Sequence, residues 1–178
     1  AQHLWPLVSI DVEKAFLQGM TYEQIAQETN TPMREVNFEL PRGSTILLQG
    51  LAGFETYNPS LEVLHCDKPG TGLQDAPYAF SMKLQKCTSR FGCKSLHSDS
   101  EVIVRHTAGA LDLMAGKHVD DIKITGSEST IKAFIKAIVD VFGPVKEHWY
   151  EFTNCGIRHV QDKKTFEIHC DQTLYISC

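Results

Sequence analysis

The sequence has no apolar run approaching the roughly 18 residues that a membrane-spanning helix requires, so no transmembrane segment is expected. It has no low-complexity tract, internal repeat or obvious linker, which argues against fibrous, solenoid and disordered architectures. Six cysteines are present (Cys66, Cys87, Cys93, Cys155, Cys170 and Cys178), but no two stand at C-x-x-C spacing. A zinc site is therefore not expected, and the thiols read as ordinary reduced side chains. There is also no excess of basic residues: 17 Lys and Arg face 22 Asp and Glu, for a net charge of −5. A protein that grips polyanions over its whole surface would carry the opposite sign. Any nucleic-acid contact must therefore come from local basic positions, with the acidic residues concentrated elsewhere. The opening AQHLWPLVSID lacks the basic and apolar segments of a signal peptide. It also lacks an initiator Met, and the expectation is a processed product or an excised fragment.

What is present fits one soluble globular domain over residues 1–178, with 42% hydrophobic and 22% charged residues. Residues 6–12 (PLVSIDV) are apolar and β-rich and predict a strand. Residues 13–19 and 21–28 read as helical or turn-like. The alternation in 34–41 (REVNFELP) predicts a half-buried strand, and 61–66 (LEVLHC) another. A helix is predicted over 76–91, with Asp75 as N-cap, Pro77 in the first turn and Gly92 as terminator. Strands are expected near 100–106, 110–117 and 121–125, the last two forming a hairpin with 118–121 at its tip. Residues 128–142 carry a single apolar stripe, Ile131, Phe134, Ile135, Ile138, Val139 and Phe142, which predicts an amphipathic helix stopped by Gly143–Pro144. Strands near 149–159 and 164–169 follow. Strands and helices do not alternate regularly, so the expected class is α+β, an antiparallel sheet covered by helices.

Three carboxylates stand out. Asp11 ends an apolar strand, and Asp120 and Asp121 share a hairpin tip. Adjacent like charges raise one another's pKa unless a cation offsets them. Mg²⁺ is a natural offset, because it takes oxygen ligands, usually one or two carboxylates plus substrate phosphates. Two such ions about 3.5–4 Å apart can drive an in-line phosphoryl displacement. An Asp-Asp pair in a turn is more often simply solvated, and the surrounding residues decide between these readings.

Those surroundings resemble the copia-type reverse transcriptases of LTR retrotransposons. SIDVEKAFLQG (9–19) resembles the family's first polymerase motif, D-V-x-x-A-F-L-x-G. KPGTGLQDAPYAF (68–80) resembles the second, K-A-L-Y-G-L-K-Q-A-P-R-A-W, and HVDDIKITG (118–126) the third, Y-V-D-D-x-x-x-x-G. FTNCGIRH (152–159) is similar to Y-F-L-G-I-E, and DQTLYI (171–176) to S-Q-x-x-Y-I. The motifs run in the family's order along nearly the whole chain.

The resemblance implies a polymerase palm with part of the fingers, acting as an RNA-directed DNA polymerase. Asp11 and Asp120 would bridge two Mg²⁺ ions, with Mn²⁺ able to substitute. Asp121 would support the site and the Val12 carbonyl would add a ligand. Lys14 and Ala15 would offer backbone N–H groups to the triphosphate, and Phe16 would sit under the incoming sugar and reject a 2′-hydroxyl. Thr71 and Gly72 would lie near the nucleotide, Gln74 and Pro77 near the template. Implied partners are an RNA or DNA template–primer, dNTPs and other polyprotein parts such as RNase H and integrase. The implied location is intracellular, in a cytoplasmic particle or the nucleus, with no membrane association. The sequence departs from the family at His118 (usually Tyr), Thr71 (usually Tyr), Asp75 (usually Gln) and Tyr78 (usually Arg). His118 reads as a residue packed in the hairpin, and Lys146 is a candidate proton donor by position. The alternatives are an inactive retroelement-derived domain and, more remotely, another two-metal palm enzyme such as a nucleotide cyclase.

Overall fold

The computed structural model describes residues 3–173; Cys178 and the end of the DQTLYI segment lie outside the described residues. The strands are β1 (Leu7–Val12), β2 (Asn37–Phe38), β3 (Leu64–His65), β4 (Lys94–Ser95), β5 (Val102–Thr107), β6 (Ala110–His118), β7 (Asp121–Gly126), β8 (Val145–Trp149), β9 (Glu151–Asn154), β10 (Ile157–Gln161) and β11 (Ile168–Asp171). The helices are α1 (Tyr22–Thr29), α2 (Thr45–Gln49), α3 (Ala76–Arg90) and α4 (Glu128–Phe142), with a 3₁₀ turn over Ala15–Gln18. Strands β4-β5-β6-β7-β1-β8 form a six-stranded sheet, β11-β10-β9 a three-stranded sheet, and β2-β3 a two-stranded ribbon. Every pairing is antiparallel, so the class is mixed α and β with antiparallel sheets.

Side-chain alternation explains why the large sheet is two-sided. Val8, Ile10 and Val12 of β1, Ile122 and Ile124 of β7, Leu113 and Ala115 of β6, and Ile103 of β5 point to one face. Helices α3 and α4 cover it. The α4 stripe buries Ile131, Phe134, Ile135, Ile138 and Phe142, with Val139 partly buried beside them. Ser127 caps α4 by accepting from the Thr130 N–H at 3.2 Å, and Gly143 ends it at φ 78°. Phe142 leans on Phe80 of α3, and Phe134 meets Phe91 edge-on, both with centroids 5.3 Å apart. Helix α1 starts on a reciprocal Thr21–Gln24 capping box. Burial raises the Cys93 thiol to about 11, and the five cysteines described are all free.

Several expectations are corrected. The strands predicted at 34–41 and 61–66 shrink to two residues each, because no core covers them; Phe38 stays exposed, as do Leu61 and Val63 just ahead of β3. Asp75 does not cap α3: it is itself αR and makes no cap bond, and its carboxylate instead receives Arg34 Nη1 at 2.7 Å. The single strand expected near 149–159 is three pieces, the end of β8, then β9 and β10. Tyr150 breaks the first junction at φ 68°, and Cys155 and Gly156, both at positive φ, turn the second. Strand β11 starts at Ile168, since the preceding residues are bent by Asp162, whose side chain accepts from the Lys164 and Thr165 N–H groups at 2.7 Å. Among the described residues no helix is long and apolar enough to cross a membrane.

Candidate active site

The carboxylates meet because two register relations coincide. In the β1–β7 pairing Asp11 stands directly opposite Asp121. In the β6–β7 hairpin His118 stands opposite Asp121, leaving Val119 and Asp120 as a two-residue turn. The Val12 N–H donates to the Asp120 carbonyl at 3.3 Å, tying the tip to the end of β1. Asp11, Asp120 and Asp121 thus lie together at one end of the sheet, although they are far apart in sequence, and all three are half-buried.

The turn is strained. Val119 has φ 56°, a region that β-branched residues rarely enter. Asp120 is not at positive φ, so the strain falls on the first residue of the turn. Such strain persists only where surrounding structure enforces it, and it often marks functional positions.

Burial raises the Asp121 pKa above the ordinary aspartate value, and the charges of Asp120 and Asp11 raise it further. His118 and a hydrogen bond from Asn154 pull the other way. The carboxyls therefore repel one another in a half-buried position, the situation a cation relieves. Among the described residues no three His, Cys, Asp or Glu side chains stand as a ready metal-ligating cluster. The donor chemistry still suits Mg²⁺, which takes few protein carboxylates and fills its shell with water and phosphate oxygens.

The remaining expected residues lie on the turn after β1 and on the loop that leads into α3. Lys14 is exposed at φ 54° just after β1, Ala15 is buried, and Phe16 is half-buried in the 3₁₀ turn. Gly19 closes that turn against α3: a Cβ there would sit 3.0 Å from the Ala79 Cβ and 3.1 Å from the Phe80 N. A Cβ at Gly70 would meet Leu17 at 3.8 Å, so the start of the second motif abuts the first. Thr71, Gly72, Gln74 and Pro77 are all exposed in that loop and the first turn of α3, with Gly72 at φ 94°. No hydrogen bond or ion pair among the described residues joins them to the aspartates. His118 is corrected: it is exposed, not packed in the hairpin. Lys146 stands opposite Asp11 on β8 and its Nζ lies 3.1 Å from Glu13 Oε1; Glu13 and then Asp11 raise its pKa.

Sequence reasoning missed the second layer. The β9–β10 hairpin lays Asn154, His159 and Gln161 against the sheet, each under a tenth exposed. Gln161 accepts from the Leu7 N–H at 2.7 Å and donates to the Trp5 carbonyl at 3.0 Å. His159 Nε2 lies 3.3 Å from Lys123 Nζ. The only available signal was the alternation F-x-N and H-x-Q, which reads as a solvated strand face because three of its four members are polar.

Comparisons with known proteins add little: no family model and no curated protein matches the chain. A solved structure of apo telomerase from Candida tropicalis, truncated from its C-terminal domain, aligns with a TM-score of 0.48 at 10% identity, over 94% of this chain and 35% of that one. The chain thus spans about a third of the length of that structure.

Proposed function

We propose that this chain is the palm, with part of the fingers, of a copia-type reverse transcriptase, which extends a primer 3′-hydroxyl with dNTPs along an RNA or DNA template. The observation that carries the reading is the cross-strand pairing of Asp11 with Asp121 beside Asp120 on a strained turn. It rests also on the three motifs that the sequence carries in order, two of which supply these aspartates. Asp11 and Asp120 would hold two Mg²⁺ ions, with Asp121 and the Val12 carbonyl in support. When bound, the ions lower the pKa of the attacking hydroxyl and neutralise the leaving pyrophosphate.

The chain's own contribution is positioning and electrostatics, as in phosphoryl transfer generally. Strand register and the hydrogen bond from the Val12 N–H to the Asp120 carbonyl fix the backbone of the acidic end, which would limit reorganisation when ions and substrate bind. Phe16, in the 3₁₀ turn that follows β1, would lie under the incoming sugar and exclude a 2′-hydroxyl by shape. Lys14 and Ala15 would offer N–H groups to the triphosphate. Thr71 and Gly72 would line the nucleotide side of the α3 loop, and Gln74 and Pro77 the template side. Lys146, opposite Asp11 on β8 and ion-paired to Glu13, would be the candidate proton donor to pyrophosphate by its position. RNase H and integrase segments of a polyprotein would be its natural companions.

Primer extension on an RNA template with Mg²⁺ or Mn²⁺ tests this reading. The expected result is extension that Asp120→Asn abolishes while circular dichroism is unchanged. Extension surviving that change would end the proposal. A second reading, an inactive retroelement-derived domain, is favoured by the exposed apolar side chains of 46–63, among them Ile46 at 78% and Leu61 at 83%. It predicts a folded chain with no extension in either metal.

A further inference from the structure

The face of the large sheet turned away from α3 and α4 is an ordered grid. Its end row reads His118–Asp121–Asp11 across β6, β7 and β1, the next Gly116–Lys123–Ser9, and the third Met114–Thr125–Leu7. Rows lie two residues apart, about 7 Å. Across these three strands Lys123 is the one cation in the row behind the carboxylates, and beyond Ser9 the row continues to His148 on β8.

Lys123 is held from above. His159 Nδ1 lies 2.9 Å from the Ile157 carbonyl, which makes that nitrogen the donor and leaves Nε2 to accept from Lys123. The imidazole is stacked on Phe152, with centroids 5.1 Å apart and planes at 19°. Burial, and then the Lys123 charge, lower the His159 pKa, so the partner is neutral. An ammonium has three donors, and His159 takes one. Among the described residues no carboxylate stands within ion-pair distance of Lys123. Beside it the floor is open: a Cβ added at Gly116 would meet nothing within 4 Å, and Met114 and His118 on the same strand face are exposed.

We propose that Lys123, oriented by His159, is a contact for a backbone phosphate of the primer strand, which lies over the open floor of β6 with its reacting end at the aspartates. This inference rests on the polymerase reading. A cation with free donors, paired to a neutral base beside an uncovered floor, suits an anion that approaches from solvent. The 7 Å step from the acidic row corresponds to about two nucleotide rises of 3.4 Å per strand, so the phosphate met is close to the primer terminus. A free triphosphate offers the same chemistry, and the test separates the two.

The test is fluorescence anisotropy of a labelled, 3′-recessed template–primer binding to the full chain across a salt series. Lys123→Gln is expected to weaken binding about three- to tenfold at 0.1 M salt and to reduce the slope of log K against log salt by about 0.9, the loss of one phosphate contact. Lys123→Arg should restore the slope. Gly116→Asp places a carboxylate opposite Lys123 in open space and should match or exceed the Lys123→Gln loss, whereas Gly116→Ser should bind like wild type. An unchanged slope in Lys123→Gln, or wild-type binding by Gly116→Asp, overturns the contact. Displacement of duplex by dNTP alone that depends on Lys123 would assign the side chain to the triphosphate and also overturn it. Failure of wild type to bind duplex overturns it as well. Lys123-dependent duplex binding without extension would leave the contact standing and refute the polymerase reading. Extension with an unchanged slope would do the reverse.

Discussion

Removing one negative charge from the hairpin, Asp121→Asn, should stabilise the metal-free fold. Asp11 and Asp121 are direct cross-strand partners. Such partners have Cβ atoms about 4.5–5.5 Å apart, so their charges lie roughly 6 Å apart. At that distance the repulsion is about 0.7 kcal/mol in water and about 2.8 kcal/mol at an effective dielectric of 20. The pair is half-exposed, so the lower part of that range applies, about 1 kcal/mol, and Asp120 adds a comparable amount. The expected gain is about 1–2 kcal/mol, a rise in melting temperature of roughly 3–6 °C for a chain of this size. Burial and the neighbouring carboxylates raise the Asp121 pKa, so the folded state holds its proton more tightly than the unfolded chain does. The penalty is therefore fully present above the raised folded pKa and fades as pH falls toward the ordinary value of 3.8. Calorimetry in EDTA should show the two proteins separated at pH 7.5 and converging near pH 4. Millimolar Mg²⁺ should raise the melting temperature of wild type more than that of the variant. An equal or lower melting temperature for Asp121→Asn at pH 7.5 would refute the claim that these charges strain the apo fold.

Three further outcomes follow from the packing and the site. Gly126→Ala would place a Cβ 2.5 Å from the Asp112 carbonyl, which the β6 backbone cannot avoid without shifting, so a loss of about 1–3 kcal/mol by urea unfolding is expected, with the hairpin tip displaced and extension reduced. Phe134→Ala empties a fully buried site against Phe91 and should cost about 3–5 kcal/mol, read from the same unfolding curves; a loss under 1 kcal/mol would contradict the α4 packing described here. Phe16→Ala should cost about 1 kcal/mol of stability, since the ring is half-buried, and raise incorporation of ribonucleotides relative to deoxynucleotides at least tenfold in single-nucleotide extension, and an unchanged ratio would remove Phe16 from the sugar site.

The elements that could be read from sequence are those whose burial follows apolar periodicity. The stripe from Ile131 to Phe142 gave α4 to the residue, and the apolar runs around Asp120 and Asp121 located a hairpin whose register then brought Asp11 alongside. Alternation failed where polar side chains are the buried ones. Asn154, His159 and Gln161 dock the small sheet through hydrogen bonds, so the pattern of their strands looked solvated, and the links to Asp121 and Lys123 had no sequence signal. Alternation also misled in 34–41, where a strand-like pattern has no surface to pack on. Asp75 had the right type and place for a cap, but Arg34, distant in sequence, claims its carboxylate. The strain at Val119 could not be anticipated, because valine is among the residues least expected at positive φ.

The central claim, that Asp11, Asp120 and Asp121 form a divalent-metal site, is tested most directly by Mn²⁺ titration of the full chain, following the paramagnetic resonance signal of the free ion. The titration is run with a dideoxy-terminated template–primer and the matching dNTP, whose oxygens complete the coordination shells. Wild type is predicted to sequester two Mn²⁺ per chain beyond what the nucleic acid and nucleotide bind alone. The Asp11→Asn, Asp120→Asn double variant, with an unchanged circular dichroism spectrum, is predicted to sequester none. Equal sequestration by the two proteins would contradict the account.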